Sequence, residues 1–150
     1  MKRLGSAAIA ILALSCLFAQ KTATPRNADS EREARQVIDA FFAAFNKSDS
    51  GGVRRTVHFP HIRIASGRVT VIPSAKEWKG DPTPLAAEDW HHSTLDSVQF
   101  VHGDAEKVHA AIVFSRYRAD GARYATHHSL WIITRQDGRW GVQGRSSFAP

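Results

Sequence analysis

Between residues 93 and 148 the chain is a succession of long β-type segments joined by turn pairs, and that succession limits the fold more than anything else in the sequence. Ser93–His102, Lys107–Arg118 and Arg123–Arg135 are rich in Val, Ile, Phe, Tyr and Thr, and their connections carry Gly103-Asp104 and Asp120-Gly121. Gln136-Asp137-Gly138 then leads into Arg139–Phe148. Asp-Gly pairs supply the positive φ angles that tight hairpins need, so the four segments predict an antiparallel meander. A separate hairpin, His61–Ala65 and Arg68–Ile72 about Ser66-Gly67, precedes them and is closed by Pro73.

Ahead of the strands lies one strong helical segment. Ser30-Glu31-Arg32-Glu33 matches a capping box, and Val37, Ile38, Phe41, Phe42 and Phe45 fall on one helical face. The helix is expected to end near Asn46, where Lys47 to Gly52 is turn material, with a short second helix over Val53–Val57. Ser74–Trp90 holds Pro82, Pro84, Trp78 and Trp90 and reads as a loop with one or two short helices. A long helix, a short one, a hairpin and a four-stranded meander make an α+β plan.

Residues 1–20 read as a secretory signal segment: Lys2 and Arg3, then an apolar run from Leu4 to Ala19 that is short for a membrane span. Cleavage after Ala19 would export a soluble protein, periplasmic or secreted. Cleavage after Ser15 would leave Cys16 first and acylated, so the membrane is reached only through this N-terminal segment or a lipidated Cys16. Residues 21–29, with Pro25, are a flexible tether, and residues 30–150 form one domain. Loss of Lys2 and Arg3 takes the net charge from +6 to +4. Cys16 is the single cysteine of the 150 residues, which excludes thiol catalysis and thiolate metal binding from the domain itself. The basic residues are dispersed, without the coherent basic and aromatic face of a nucleic-acid binder, so no nucleic-acid partner is expected.

The order of elements resembles the NTF2-like superfamily, which includes the ketosteroid isomerase and SnoaL-like groups. Its carriers are Phe41-Phe42-Ala43-Ala44-Phe45 followed by a polar turn, and Asp137-Gly138-Arg139-Trp140-Gly141-Val142 before a last strand with Ser146-Ser147. The resemblance covers about residues 30 to 149. It implies a cone: the N-terminal helix packed in a strongly bent antiparallel sheet, a pocket at the wide end, and a homodimer formed through the sheet. It does not imply a reaction, because this scaffold hosts isomerases, dehydratases, cyclases, epoxide hydrolases and non-catalytic binders. The steroid isomerase type needs an Asp base with Tyr and carboxylic-acid donors. Here the inward helix positions are Phe, and the hairpin carries Arg63 and Arg68. The epoxide hydrolase type needs an Asp-Arg-Asp set, and Asp96 is the one acid well inside a predicted strand.

Histidine is the unusual ingredient, with eight residues, six of them in the groups His58/His61, His91/His92 and His127/His128. Imidazole titrates near neutral pH and can take or give a proton, so a pocket histidine would serve as general base. His61, His128 and His92 are the candidates. In a strand adjacent residues face opposite ways, and the neighbours of His127 and His128 do not decide which enters the pocket. Arg63 and Arg145 are candidate ligand-binding cations, Trp78 and Trp90 candidate walls at the pocket mouth, and Tyr124 a hydroxyl donor. No metal site and no cofactor is expected. The reading is an exported domain that binds a small apolar or carboxylate-bearing molecule. Its alternatives are a cofactor-free isomerase, dehydratase or cyclase using a pocket histidine, and a structural or dimerisation module with a filled cone.

Overall fold

The computed structural model describes residues 28–80, 85 and 89–149. The predicted signal segment, Cys16 and residues 21–27 of the predicted tether lie outside the described residues, while Ala28 and Asp29, the last two of that tether, open a helix. The elements are α1 (Ala28–Asn46), α2 (Ser50–Arg55), β1 (Val57–Ala65), β2 (Arg68–Ile72), β3 (His92–Gly103), β4 (Lys107–Tyr117), β5 (Arg123–Gln136) and β6 (Arg139–Ser147).

The expected α+β plan holds, and its boundaries shift for local reasons. Helix α1 starts two residues before the predicted cap. Asp29 and Glu31 sit in its first turn, where acidic groups suit the helix dipole, and Ser30 is buried within that turn. Ala34, Ile38, Phe41 and Phe42 are its buried stripe. Ser48, in the left-handed region at φ 54°, ends it, with backbone N–H groups of residues 47–49 closing onto Ala44 and Phe45 carbonyls. The second helix begins earlier than expected because Asp49 caps it, its carboxylate accepting from Gly52 N at 2.8 Å. Val57, expected in that helix, opens β1 instead. In the Ser74–Trp90 loop, the described run from Ser74 to Gly80 contains no helix.

The six strands form one sheet in the order β2-β1-β6-β5-β4-β3. Strands β3 to β6 are the predicted meander, and β1 joins it by pairing parallel to β6, with Arg63 opposite Arg145. Register breaks in β3, β4 and β5 bend the sheet, which wraps α1 so that the helix meets β3, β4 and β6. Phe41, Phe42 and Trp131 form the centre of the core. Trp131 meets Phe41 edge-on at 4.8 Å and stacks on Phe42 at 5.9 Å. On the outer face Ile62 and Ile64 are exposed beside Val71 and Val69, their register partners in β2.

In the closing Asp-Gly-Arg-Trp-Gly run, Asp137, Gly138, Arg139 and Gly141 each have a physical explanation, and Trp140 packs against the core. Asp137 and Gly138 both have positive φ and make the β5–β6 turn. The Arg139 guanidinium donates to the carbonyls of Arg55 and Val57 at 2.9 and 3.1 Å, and to His58 Nδ1 at 3.0 Å. His58 lies so close to Gly141 that a Cβ there would fall 2.6 Å from its ring, so any side chain at 141 must displace the imidazole.

His58 also faces the Arg139 carbonyl through Nε2 at 3.1 Å, so one nitrogen donates and the other accepts. Burial, reinforced by the charge of Arg139, lowers its pKa from the ordinary 6.5. The unfolded chain then binds more protons than the folded one below about pH 6.5, and stability falls as the pH is lowered through that window. Urea midpoints are expected to drop between pH 7.5 and pH 5, and the drop should shrink in His58→Gln. Equal slopes in the two proteins would remove His58 as the source.

Candidate functional site

Strand alternation decides which polar side chains turn toward α1. In β4 the inward set is Val108, Ala110, Ile112, Phe114 and then Arg116, which is 3% exposed. In β5 it is Ser129, Trp131 and Ile133, and in β6 Arg145 and Ser147. Of these, Phe114, Arg116, Ser129, Trp131, Arg145 and Ser147 join Arg63 of β1, Ser93 of β3 and the phenyl rings of α1 around a cavity of about 40 Å³. That is room for about three water molecules, or a few heavy atoms of a ligand. Among the described residues of its lining three side chains are guanidiniums and none is a carboxylate.

Arg63 and Arg145 are cross-strand neighbours. The Arg145 guanidinium carbon lies 4.8 Å from the centre of the Phe41 ring and 5.6 Å from that of Trp131, each a cation–π distance. Its Nε donates to His61 Nε2 at 3.4 Å, a long hydrogen bond, and the other nitrogen of His61 lies 3.0 Å from the Val142 carbonyl. Since a carbonyl only accepts, Nδ1 carries the proton and Nε2 presents its lone pair to Arg145. His61 is fully buried, and Trp78 stands edge-on to it at 5.8 Å. On the other side Trp90 stands edge-on to Phe45 at 5.3 Å and donates through Nε1 to Ser93 Oγ at 3.0 Å. Asn46 holds the Ser93 backbone at both its N–H and its carbonyl, each at 2.8 Å.

Of the residues singled out from the sequence, the structure therefore brings together Arg63 and Arg145 in the lining. His61 stands behind Arg145, with Trp78 against His61 and Trp90 behind Phe45 and Ser93. The remaining three stand off the cavity. His128 is exposed on the outer face, because alternation turns its neighbours Ser129 and Trp131 inward and places His127 on the inner side, against Phe114 at 5.3 Å. His92 faces away from buried Ser93; it stacks on Tyr117 at 4.9 Å and its Nδ1 meets that of His91 at 3.1 Å. Tyr124 shares the outer parity of His128 and lies under the Arg118 guanidinium at 4.7 Å. Asp96 is also turned outward, accepting from Thr94 Oγ1 at 2.6 Å and Ser115 Oγ at 2.5 Å. Among the described residues no group of three His, Cys, Asp or Glu side chains is placed to hold a metal.

Sequence reasoning missed Arg116 and the serines of the lining. Arg116 had a signal: it continues the parity of Ala110, Ile112 and Phe114, so an arginine ends a row of core residues. The serines had none, since Ser is common on both faces of a sheet.

A helix inside a bent sheet ordered this way, with the cavity between them, matches a known architecture. A family model described as NTF2-like protein (DUF6841) matches residues 30–146. The chain belongs to this NTF2-like family. No curated protein matches it. Among solved structures, an NTF2-like protein with a cystatin-like fold from Novosphingobium aromaticivorans superposes with a TM-score of 0.65 at 13% identity, covering 81% of this chain and 82% of that one. An NTF2-like protein of unknown function from Pseudomonas putida gives 0.65 at 17% identity, with 83% and 89% covered. A ketosteroid isomerase-like protein from Erwinia carotovora atroseptica gives 0.58 at 17% identity, with 81% and 96% covered. At these identities the likeness is one of fold. The NTF2-like cone expected from the sequence is thus the fold of this chain, while its cavity has its own chemistry, read from its own side chains.

Proposed function

We propose that this NTF2-like domain, exported by its N-terminal segment, binds a small molecule that carries a carboxylate on an apolar body. The observation that supports this is the pairing of Arg63 and Arg145 on neighbouring strands inside a cavity walled by Phe and Trp rings, with no acidic side chain among the described residues of its lining. Guanidinium groups bind carboxylates by parallel hydrogen bonds, and a partly dry site strengthens them. The cavity is small, so the head group enters it and the apolar body lies toward the mouth. Catalysis by His61 as general base finds no support in this geometry. A base needs its lone pair aimed at the ligand, whereas the Nε2 lone pair faces Arg145 and Nδ1 faces the Val142 carbonyl.

Benzoate and benzyl alcohol test the reading, because they share a ring and differ in charge. Calorimetric titration of the whole domain is expected to show saturable binding of benzoate at least tenfold tighter than benzyl alcohol, from the charge-assisted contacts alone. Absence of benzoate binding, or equal binding of the two, overturns it.

A further inference from the structure

Resting on that reading, we propose that Ser93 binds the ligand as well: its hydroxyl donates a hydrogen bond to the carboxylate from the β3 wall of the cavity. Ser93 lines the cavity and is 3% exposed. A hydroxyl has one proton to give and two lone pairs to offer. Trp90 Nε1 donates to one of those lone pairs at 3.0 Å. Among the described residues no side chain or carbonyl accepts the proton of Ser93 in return. A buried donor left unspent costs free energy, and an acceptor oxygen brought into the cavity removes that cost. The other serines of the lining differ. Ser129 accepts from Trp131 Nε1 at 2.9 Å and gives its proton to the Ser146 carbonyl at 2.8 Å. Ser147 accepts from Ala149 N at 3.1 Å but is only half-buried, within reach of solvent.

Ser93 is held for this task from two sides. Strand β3 is an edge of the sheet, and Asn46, the last residue of α1, supplies there the two bonds that a further strand would make. Its Oδ1 accepts from the Ser93 N–H and its Nδ2 donates to the Ser93 carbonyl, each at 2.8 Å. Trp90 holds the side chain, and its own ring stands edge-on to Phe45, the neighbour of Asn46. Backbone and hydroxyl are therefore both fixed before a ligand arrives. With one lone pair tied to the indole, the hydroxyl proton keeps only the remaining directions, which makes Trp90 a positioning residue. The cavity has room for little more than a carboxylate, so a head group that fills it meets Ser93.

Ser93→Thr and Ser93→Val have the same shape and differ in the hydroxyl alone. Benzoate affinity, measured by calorimetric titration of the whole chain, is expected to be at least about tenfold tighter in Ser93→Thr than in Ser93→Val. Trp90→Phe keeps a ring against Phe45 and removes the donor. It is expected to weaken benzoate about threefold, and to bring no further loss in a Ser93→Val background. Equal affinities of the Thr and Val variants would overturn the proposal; if the unaltered protein still prefers benzoate to benzyl alcohol tenfold, the carboxylate reading stands without Ser93. A Trp90→Phe loss that persists in full beside Ser93→Val makes Trp90 a wall and overturns its positioning role. No benzoate binding by the unaltered protein overturns both readings together. Melting temperatures separate a lost fold from a lost donor, and Ser93→Ala, set against the unaltered protein, repeats the comparison where the bulkier valine does not fold.

Discussion

Trp131→Ala is expected to lower the free energy of unfolding by about 3–5 kcal/mol, the range for removing a large buried aromatic ring. Trp131 is 2% exposed in β5, an inner strand of the meander. Its ring meets Phe41 edge-on, stacks on Phe42 and carries the Arg145 guanidinium, while its Nε1 donates to Ser129 Oγ at 2.9 Å. Alanine removes all of these at once. The neighbours cannot collapse inward, because Phe41 and Phe42 are fixed to α1 and Ser129 to the Ser146 carbonyl. A domain of this size has about 5–15 kcal/mol in total, so the variant should sit close to unfolding at room temperature. Urea denaturation at neutral pH measures it. A loss below about 1 kcal/mol would mean that Trp131 is a wall of the cavity and not a support of the core.

The same residue shows which parts of the structure were legible beforehand. Helix α1 and strands β3–β6 were readable because their signals are local: a 3.6-residue apolar stripe and Asp-Gly turns a few residues apart. The parallel pairing of β1 with β6 has no local signal, since Arg63 and Arg145 are brought together from opposite ends of the domain. The inward set of β5 was ambiguous for a different reason. Trp131 and Ile133 lie on one parity, Leu130 and Ile132 on the other, and both faces are apolar. Alternation then cannot say whether His127 or His128 enters, and only the position of Trp131 against α1 resolves it. His61 was singled out as a candidate general base, and its complete burial was not legible. Its orientation toward Arg145 was invisible, because that depends on the β1–β6 pairing.

The double variant Arg63→Met/Arg145→Met should separate binding from folding. Methionine keeps much of the length and apolar stem of arginine and removes the charge, so packing on Phe41 and Trp131 is largely retained while the donors vanish. Each lost charge-assisted hydrogen bond is worth about 1.5–3 kcal/mol, so two together predict at least a hundredfold loss of benzoate affinity. The fold has less to lose. Taking a charge out of a half-buried site lowers its desolvation cost, and this offsets the cation–π contacts that disappear. The melting temperature is therefore expected to move by only a few degrees while binding is abolished, with benzyl alcohol affected far less than benzoate. If the variant instead unfolds while benzoate affinity of the folded fraction is unchanged, the two arginines support the wall of the cone and the carboxylate is held elsewhere. The two outcomes diverge on both readouts, so one titration and one melting curve decide between a ligand clamp and a structural pair.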